Sequence, residues 1–145
     1  MAVAAFAATL LAACSGDDSK GEFVAAADEA CREADERISE IGRPRVEEGI
    51  HDYVEQAQEI SADLAADLRD LDPPPEDVAR VEGMIDDLEA ATDLLEPLAQ
   101  ASIDRDAEAL EAIQQEVQRI TDDVSEFAES YGFEVCGAKV LDPMR

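Results

Sequence analysis

The chain has 145 residues and is strongly acidic: 37 Asp and Glu residues against 11 Lys and Arg residues give a formal net charge of −26. Such a charge repels phosphate backbones and anionic lipid surfaces, so it excludes a nucleic-acid-binding protein and a basic membrane-surface helix. The single histidine excludes any site that needs two histidines. The length suits one domain with a substantial core.

The first thirteen residues carry no charged side chain and are nearly all apolar. They are too few for a membrane-spanning helix, which needs about 20 residues, and they fit the apolar core of a secretory signal. The segment ends in Leu11-Ala12-Ala13-Cys14-Ser15, which resembles the lipobox of bacterial lipoproteins. That resemblance implies that residues 1–13 are a lipoprotein signal peptide, that the chain is cut before Cys14, and that the Cys14 sulfur is diacylated.

No lysine or arginine precedes Lys20, although a secretory signal normally begins with basic residues. We therefore expect the true start codon to lie upstream of Met1, together with a basic segment. The alternative is an apolar N-terminal tail with a chance cysteine. The expected location is extracytoplasmic, with the protein anchored to the cell membrane through lipid on Cys14.

The other two cysteines, Cys31 and Cys136, are the only pair left for an intramolecular disulfide if Cys14 carries lipid. The compartment beyond the membrane favours such bonds. A bridge would close a loop of about 106 residues, for which a chain-entropy argument gives about 4.7 kcal/mol. The alternative is two free buried thiols. Zinc ligation is a poor fit, because two distant sulfurs and one histidine do not supply four ligands.

Four segments show helical periodicity, and the first follows an expected tether over residues 14–21. The run Ser19-Lys20-Gly21-Glu22 has the form of a capping box and predicts a helix start, while Gly42 and Pro44 predict its end. Its apolar stripe is Phe23, Ala27, Cys31, Ala34, Ile38 and Ile41. The second helix is predicted from about Arg45 to Leu71, with the stripe Val46, Ile50, Tyr53, Ala57, Ile60, Leu64, Leu68 and Leu71.

The third helix is predicted to start near Pro75, and Pro97 near its far end predicts a kink or a break. The fourth is predicted from about Asp104, with Asp104 or Asp106 as N-cap, to Tyr131. Its stripe alternates steps of three and four residues, as a heptad seam does: Leu110, Ile113, Val117, Ile120, Val124, Phe127 and Tyr131.

Short connections make helices antiparallel neighbours, so the sequence predicts an all-α, up-down-up-down four-helix bundle with one disulfide over residues 22–138. A flexible tail is expected over residues 139–145. This topology brings Cys31 and the segment 133–136 to the same end, with that segment folded back on the first helix. Cys14 belongs to the same end, so we expect the bundle to stand on the membrane at its disulfide end.

Two motifs lie near the ends of the predicted bundle. The first is Phe23 followed by Ala27-Asp28-Glu29-Ala30-Cys31, and the second is Tyr131-Gly132-Phe133-Glu134-Val135-Cys136-Gly137. They are similar to motifs of a group of small secreted and lipid-anchored actinobacterial proteins of uncharacterised function. The resemblance covers about residues 22–138; it implies a helical bundle with a disulfide and supplies no chemistry.

The run Glu48-Gly49-Ile50-His51 has the E-x-x-H spacing of di-iron carboxylate bundles, but such a site needs two copies of it. His51 is therefore expected at the surface. No Gly-rich phosphate loop and no calcium-loop pattern is present. The sequence predicts no catalytic residue, no metal ligand and no cofactor.

The acidic residues are spread over all four predicted helices. Adjacent acids, such as Asp86 with Asp87 and Asp122 with Asp123, are interpreted as solvated helix faces that attract at most loosely condensed divalent cations. Three basic residues are expected to form i,i+4 pairs that offset part of the repulsion: Asp28–Arg32, Glu33–Arg37 and Glu76–Arg80.

The sequence thus favours a non-enzymatic, lipid-anchored cell-envelope protein that works as an interaction module. Its partner would be an unknown envelope protein, bound through a helix face or through the end distal to the membrane. The alternative is a helical bundle that binds a small molecule or a cation, in a cavity left by the many alanines or at the Pro97 kink. An enzyme is not expected.

Overall fold

The computed structural model describes residues 15–42 and 49–137, and no β-strand occurs within these ranges. The helices are α1 (Ser15–Ile41), α2 (Ile50–Arg69), α3 (Val78–Asp93), α4 (Leu95–Asp104) and α5 (Ala107–Tyr131). Helices α3 and α4 together form the third arm of the bundle. The fold is therefore the predicted all-α antiparallel four-helix bundle, with a disulfide between Cys31 and Cys136.

The first helix starts earlier than predicted. Helix α1 already includes Ser15, so residues 15–21 are helical and the prediction of a flexible tether over them is wrong. Ser19 lies inside the helix and does not mark its start. The reason is cooperative extension: once a helix is nucleated, each further residue adds a backbone hydrogen bond at little cost.

The second helix ends two residues before the predicted Leu71. Its expected start near Arg45 and Val46 lies outside the described residues, and the structure has α2 from Ile50. The helix ends at Arg69, and the amide of Asp70 closes its last turn by donating to the Ala66 carbonyl (N···O 3.0 Å). The proline-rich turn after Asp72 then reverses the chain.

The third arm breaks at Leu94, three residues before Pro97. Pro97 has no amide proton to give to the carbonyl of Asp93, and its ring would crowd that carbonyl in a continuous helix. The Leu94 amide instead donates to Ala91 (3.3 Å), and Leu98 resumes the helical ladder by donating to Leu94 (3.0 Å). Pro97 thus occupies the first turn of α4, where proline is tolerated.

The caps of the last helix follow the sequence signals. Asp106 is the N-cap of α5, and its Oδ1 accepts from the amide of Ala109 at 3.1 Å. Gly132 ends the helix with a φ of 104°, a conformation that costs an L side chain energy but not glycine. The prediction that α5 begins at Asp104 is three residues early, because Arg105 takes a left-handed turn (φ 57°) between α4 and α5.

Ion pairs join neighbouring helices of the antiparallel bundle. Arg37 of α1 donates to Asp63 of α2 (Nη2···Oδ2 2.8 Å), and the Nδ1 of His51, near the start of α2, lies 3.2 Å from Glu96 Oε1 of α4. Arg69, in the last turn of α2, meets three carboxylates of α3: Glu82, Asp86 and Glu89. Helix α1 packs on α2, α2 on α3 and α4, and α5 on both α3 and α4.

The bundle has two unlike ends. We call residues 19–34, 64–85 and 120–137 the disulfide end, and residues 36–42, 50–57 and 95–117 the distal end. The disulfide end holds the largest fully buried side chains: Leu68, Ile85, Ile120, Val124, Cys31 and Cys136. At the distal end the buried side chains are small: Val54, Ala57, Ala99 and Ala101.

Candidate functional site

The most elaborate local structure is the turn that follows α5. Beyond Gly132 the chain crosses to α1, where the Cα atoms of Cys31 and Cys136 are 5.4 Å apart, within the normal range for a disulfide. Both cysteines are almost completely buried. The segment 133–136 therefore folds back on the first helix, as predicted.

A single carboxylate holds this turn to α1. Asp28 is 7% exposed, and its Oδ2 accepts from the amide of Glu134 at 2.9 Å. Its Oδ1 accepts from the amides of Val135 (2.9 Å) and Cys136 (3.0 Å). Three consecutive backbone donors thus converge on one ionisable group, which satisfies amides that would otherwise be costly to bury.

The turn is also fixed to α5 on its other side. Gly137 has a φ of 90°, and a Cβ at this position would lie 2.6 Å from the Cβ of Ala128. The hydroxyl of Ser125 donates to the Gly137 carbonyl at 3.1 Å. Cys136 Sγ lies 3.2 Å from the carbonyl oxygen of Ala27, which is a packing contact because a disulfide sulfur carries no proton.

Four aromatic rings pack beside the turn. Phe23 of α1 meets Tyr131 edge-on (centroids 6.1 Å apart) and Phe133 at 6.0 Å, while Tyr131 stacks on Phe127 (5.2 Å) and on Phe133 (5.1 Å). Lys20 Nζ lies 4.2 Å from the centre of the Tyr131 ring. These contacts join α1 to α5 through side chains, and each favourable ring pair adds about 0.5–1.5 kcal/mol beyond its buried area.

Tyr131 also connects α5 to the turn before α3. Its hydroxyl donates to Asp77 Oδ2 at 3.0 Å, and Asp77 accepts in turn from Arg80 (Nη1···Oδ1 3.2 Å). Burial, followed by the hydrogen bond to Asp77, raises the pKa of Tyr131 to about 12. The phenol is therefore a neutral hydrogen-bond donor throughout the physiological range.

The three arginines of the predicted i,i+4 pairs bind other acids in the structure. Arg32 hydrogen-bonds to Glu29, Arg37 to Asp63 of the next helix, and Arg80 to Asp77. Asp28, expected to pair with Arg32, instead binds the three backbone amides. This role of Asp28 was not predicted from the sequence. The only signal for it is an acid at the edge of the apolar stripe, next to Ala27 and three residues before Cys31.

Two arginines on the described acidic surface each bind more than one carboxylate: Arg119 contacts Glu116 and Asp123, and Arg69 contacts three acids of α3. The hydrogen bond with Glu89 raises the pKa of Arg69 and lowers that of Glu89. Asp87 behaves differently: burial and the nearby Asp123 raise its pKa, while Arg119 opposes that shift. The acids are thus not uniformly solvated, contrary to the simplest interpretation of adjacent aspartates.

His51 is about half exposed and faces Glu96, and Glu48 of the E-x-x-H run lies outside the described residues. Within residues 15–42 and 49–137, no group of three or more His, Cys, Asp and Glu side chains is placed to hold a metal ion. A polar groove of about 410 Å³ lies between α2 and α3. Its lining residues are Gln58, Ser61, Ala62, Glu89, Thr92 and Asp93.

The distal end leaves apolar side chains partly exposed. On α5 the predicted seam residues Leu110, Ile113 and Val117 are half-buried, whereas Ile120 and Val124 of the same stripe are buried. Further half-buried apolar side chains of the distal end belong to α2 and α4: Ile50, Tyr53, Leu95, Leu98 and Ile103.

No family model, curated protein or solved structure matches the chain. Among the helices of the described residues, none combines the length and apolarity needed to cross a membrane. The predicted signal peptide (residues 1–13), the predicted lipidation site Cys14 and the predicted tail (residues 139–145) lie outside the described residues.

Proposed function

We propose that this protein is a non-enzymatic, lipid-anchored cell-envelope protein that binds an envelope partner through its distal end. The observation that carries this proposal is the contrast in burial along α5. Leu110, Ile113 and Val117 are all partly exposed, whereas at the disulfide end Ile120, Val124 and Tyr131 of the same stripe are buried and Phe127 alone among them is partly exposed. Contiguous apolar surface that one chain leaves uncovered is the type of surface that partners bind.

The disulfide supports the extracytoplasmic location. Structural disulfides form and persist in oxidising compartments and are rare in the cytosol. Cys14 immediately precedes the first residue of α1, so lipid on Cys14 would hold the start of that helix at the membrane. Ser15 is about 24 Å from Cys31 along α1, at 1.5 Å per residue, so the disulfide end would face the membrane and the distal end would face away.

The non-enzymatic role is consistent with the placement of the reactive side chains. The single histidine, His51, lies on an exposed helix surface and pairs with Glu96. The buried carboxylate of Asp28 is occupied by three backbone amides, and the thiols of Cys31 and Cys136 are consumed in the disulfide. Each of these groups therefore has a structural partner.

Metabolic labelling with an alkyne fatty acid tests the anchor. The wild type should incorporate the label and partition into the detergent phase, and Cys14→Ala should do neither. An unlabelled wild type would overturn the lipid anchor.

Site-specific photo-crosslinking in the native envelope tests the distal surface. A crosslinking amino acid at exposed Gln114, which shares a helix face with Leu110 and Val117, should give a discrete protein adduct. The matched control is the same amino acid at exposed Glu129 on the same helix, at the disulfide end. Adducts of equal yield from both positions, or none from Gln114, would contradict a distal binding surface.

The groove between α2 and α3 favours the second candidate, a bundle that binds a small polar molecule or a cation. Its wall combines hydroxyl, amide and carboxylate groups, including Ser61, Thr92 and Asp93. Titration with Mg²⁺, Ca²⁺ or small amines, followed by NMR, should shift the amide signals of these residues selectively if this function is correct. Uniform small shifts over the acidic surface would exclude it.

A further inference from the structure

The bonds between Asp28 and the C-terminal turn do not involve sulfur. They fix the backbone on the amino side of Cys136 to a residue of α1 that lies three positions before Cys31, on the same face of the helix. The other attachments of the turn are equally independent of the disulfide. Phe133 packs among the aromatic rings, and Gly137 seats against Ala128.

We propose that Asp28 is a noncovalent latch that docks the C-terminal turn while both cysteines are still thiols, and so positions Cys136 for oxidation with Cys31. Joining two thiols that are 105 positions apart in the sequence by sulfur chemistry alone would carry the full entropic cost of closing the loop between them. The packed helices bring the end of α5 near α1, and the latch then holds the Cys136 backbone in its bonded position. The effective concentration of one thiol at the other is thereby raised before any covalent bond forms.

The chemistry proceeds with a small-molecule disulfide, such as glutathione disulfide, as the oxidant. One cysteine thiolate attacks a glutathione sulfur, which forms a mixed disulfide and releases one glutathione thiolate. The second cysteine thiolate attacks the protein sulfur of that mixed disulfide, which forms the Cys31–Cys136 bond and releases the second glutathione thiolate. The protein loses two electrons and two protons, and the oxidant is reduced to two molecules of glutathione. Asp28 is a positioning residue in this sequence and takes no part in the sulfur exchange.

Equilibration in glutathione redox buffers measures the effect of the latch. The full chain with Cys14→Ser contains only the two relevant thiols, and the fraction oxidised is read by alkylation and mass spectrometry. Asp28→Asn should lower the effective concentration of the thiol pair by about tenfold or more, the ratio produced by loss of one hydrogen bond to a charged group. The matched control is Glu29→Gln, which changes an exposed neighbouring acid and should leave the value unchanged. Equal values for the two variants would overturn the proposal.

Hydrogen exchange separates a latch from a contact that forms only after oxidation. In a Cys31→Ser/Cys136→Ser variant, the amides of residues 134–136 should remain protected, because their acceptor is Asp28 and not the disulfide. Adding Asp28→Asn to this variant should abolish that protection while amides in the middle of α2 and α3 keep theirs. Rapid exchange of the amides of residues 134–136 in the double serine variant would overturn the proposal. Because that variant retains Asp28, this result does not depend on whether a protein with Asp28→Asn folds.

Discussion

The two ends of the bundle bury the apolar stripe of α5 to different extents. Along α5, Val124 at the disulfide end is 1% exposed, while Val117, one heptad earlier at the distal end, is only half-buried. The stripe that carries both valines is regular throughout, so the difference does not come from α5 itself. It comes from what is packed against the helix.

At the disulfide end, three further pieces of chain are packed around the helices. Phe23 from α1, the turn before α3 and the segment 132–137 all pack against the end of α5. At the distal end, the third arm breaks at Leu94 and continues as the short α4, whose buried residues are alanines. The comparison shows that a periodic stripe sets which face is buried, while tertiary neighbours set how completely it is buried.

Removal of the disulfide should have the largest effect on this contrast. Replacing both Cys31 and Cys136 by serine should lower the free energy of unfolding by about 2–5 kcal/mol, because the unfolded chain regains the entropy of a long loop. Urea denaturation of the wild type and the variant measures this loss. If the unfolding free energies are the same, the stability of the disulfide end does not depend on its crosslink.

The matched valines on α5 test the contrast in packing directly. Val124→Ala should cost about 2 kcal/mol, from two lost methyl groups plus a cavity, whereas Val117→Ala should cost less than about 1 kcal/mol. Both substitutions change the same residue type on the same helix, so helix propensity cancels. Equal losses in urea denaturation would show that the two ends are packed equally well.

Substitutions at two glycines test the packing of the C-terminal turn against α5. Gly137→Ala should destabilise the protein by about 1–3 kcal/mol, because φ is positive and the new Cβ would clash with Ala128. Gly83→Ala, at an exposed position of α3 with open space around it, should stabilise by about 0.5–1 kcal/mol. Thermal unfolding of both variants shows whether each substitution stabilises or destabilises the protein. A stabilising Gly137→Ala would contradict the close approach of the turn to α5.

Alkaline pH should weaken the disulfide end selectively. The pKa of Tyr131 is raised from its ordinary value near 10 to about 12 in the folded protein, so its contribution is complete below pH 10 and is lost as pH rises through 12. The loss is on the order of 3 kcal/mol at most. Unfolding between pH 9 and 12 measures it, and Tyr131→Phe should remove this part of the pH dependence. An identical pH profile for the variant would contradict the assignment.

Salt should act on both ends alike, and it gives the smallest expected effect. The net charge of −26 makes screening stabilising, so raising ionic strength from about 0.02 to 0.5 M should raise the melting temperature by a few degrees. Millimolar Mg²⁺ should act in the same direction. A melting temperature that responds to neither salt nor Mg²⁺ would contradict net repulsion among the acidic side chains.

The architecture could be predicted because it depends on local signals. Apolar periodicity defined the helices, Gly42 and Gly132 ended two of them, and Pro97 predicted the break in the third arm. The start of α1 was wrong by several residues because helix extension past a capping box is cooperative. The pairing of Cys31 with Cys136 followed from counting cysteines together with the antiparallel order of the helices.

The apolar periodicity of the sequence could not predict the role of Asp28. Its partners are the amides of Glu134, Val135 and Cys136, more than a hundred residues away, and backbone donors carry no mark in the sequence. The predicted partners of three arginines were wrong for two reasons. Arg37 binds Asp63 of the neighbouring helix, which a rule within one helix does not consider. Arg32 and Arg80 bind acids at a spacing of three residues, and not of four. The partial exposure at the distal end likewise depends on where α1 and α4 end.

The bond between Cys31 and Cys136 has a mechanical consequence. It closes residues 31–136 into a covalent ring, so a pull applied to the chain on either side of that ring passes from one sulfur to the other. Helices α2 to α5 all lie within the ring, so they are outside the line of force and cannot be drawn out by tension on the two flanking segments. Under such a load the first structure to yield would be the part of α1 before Cys31, while the helices within the ring stay folded.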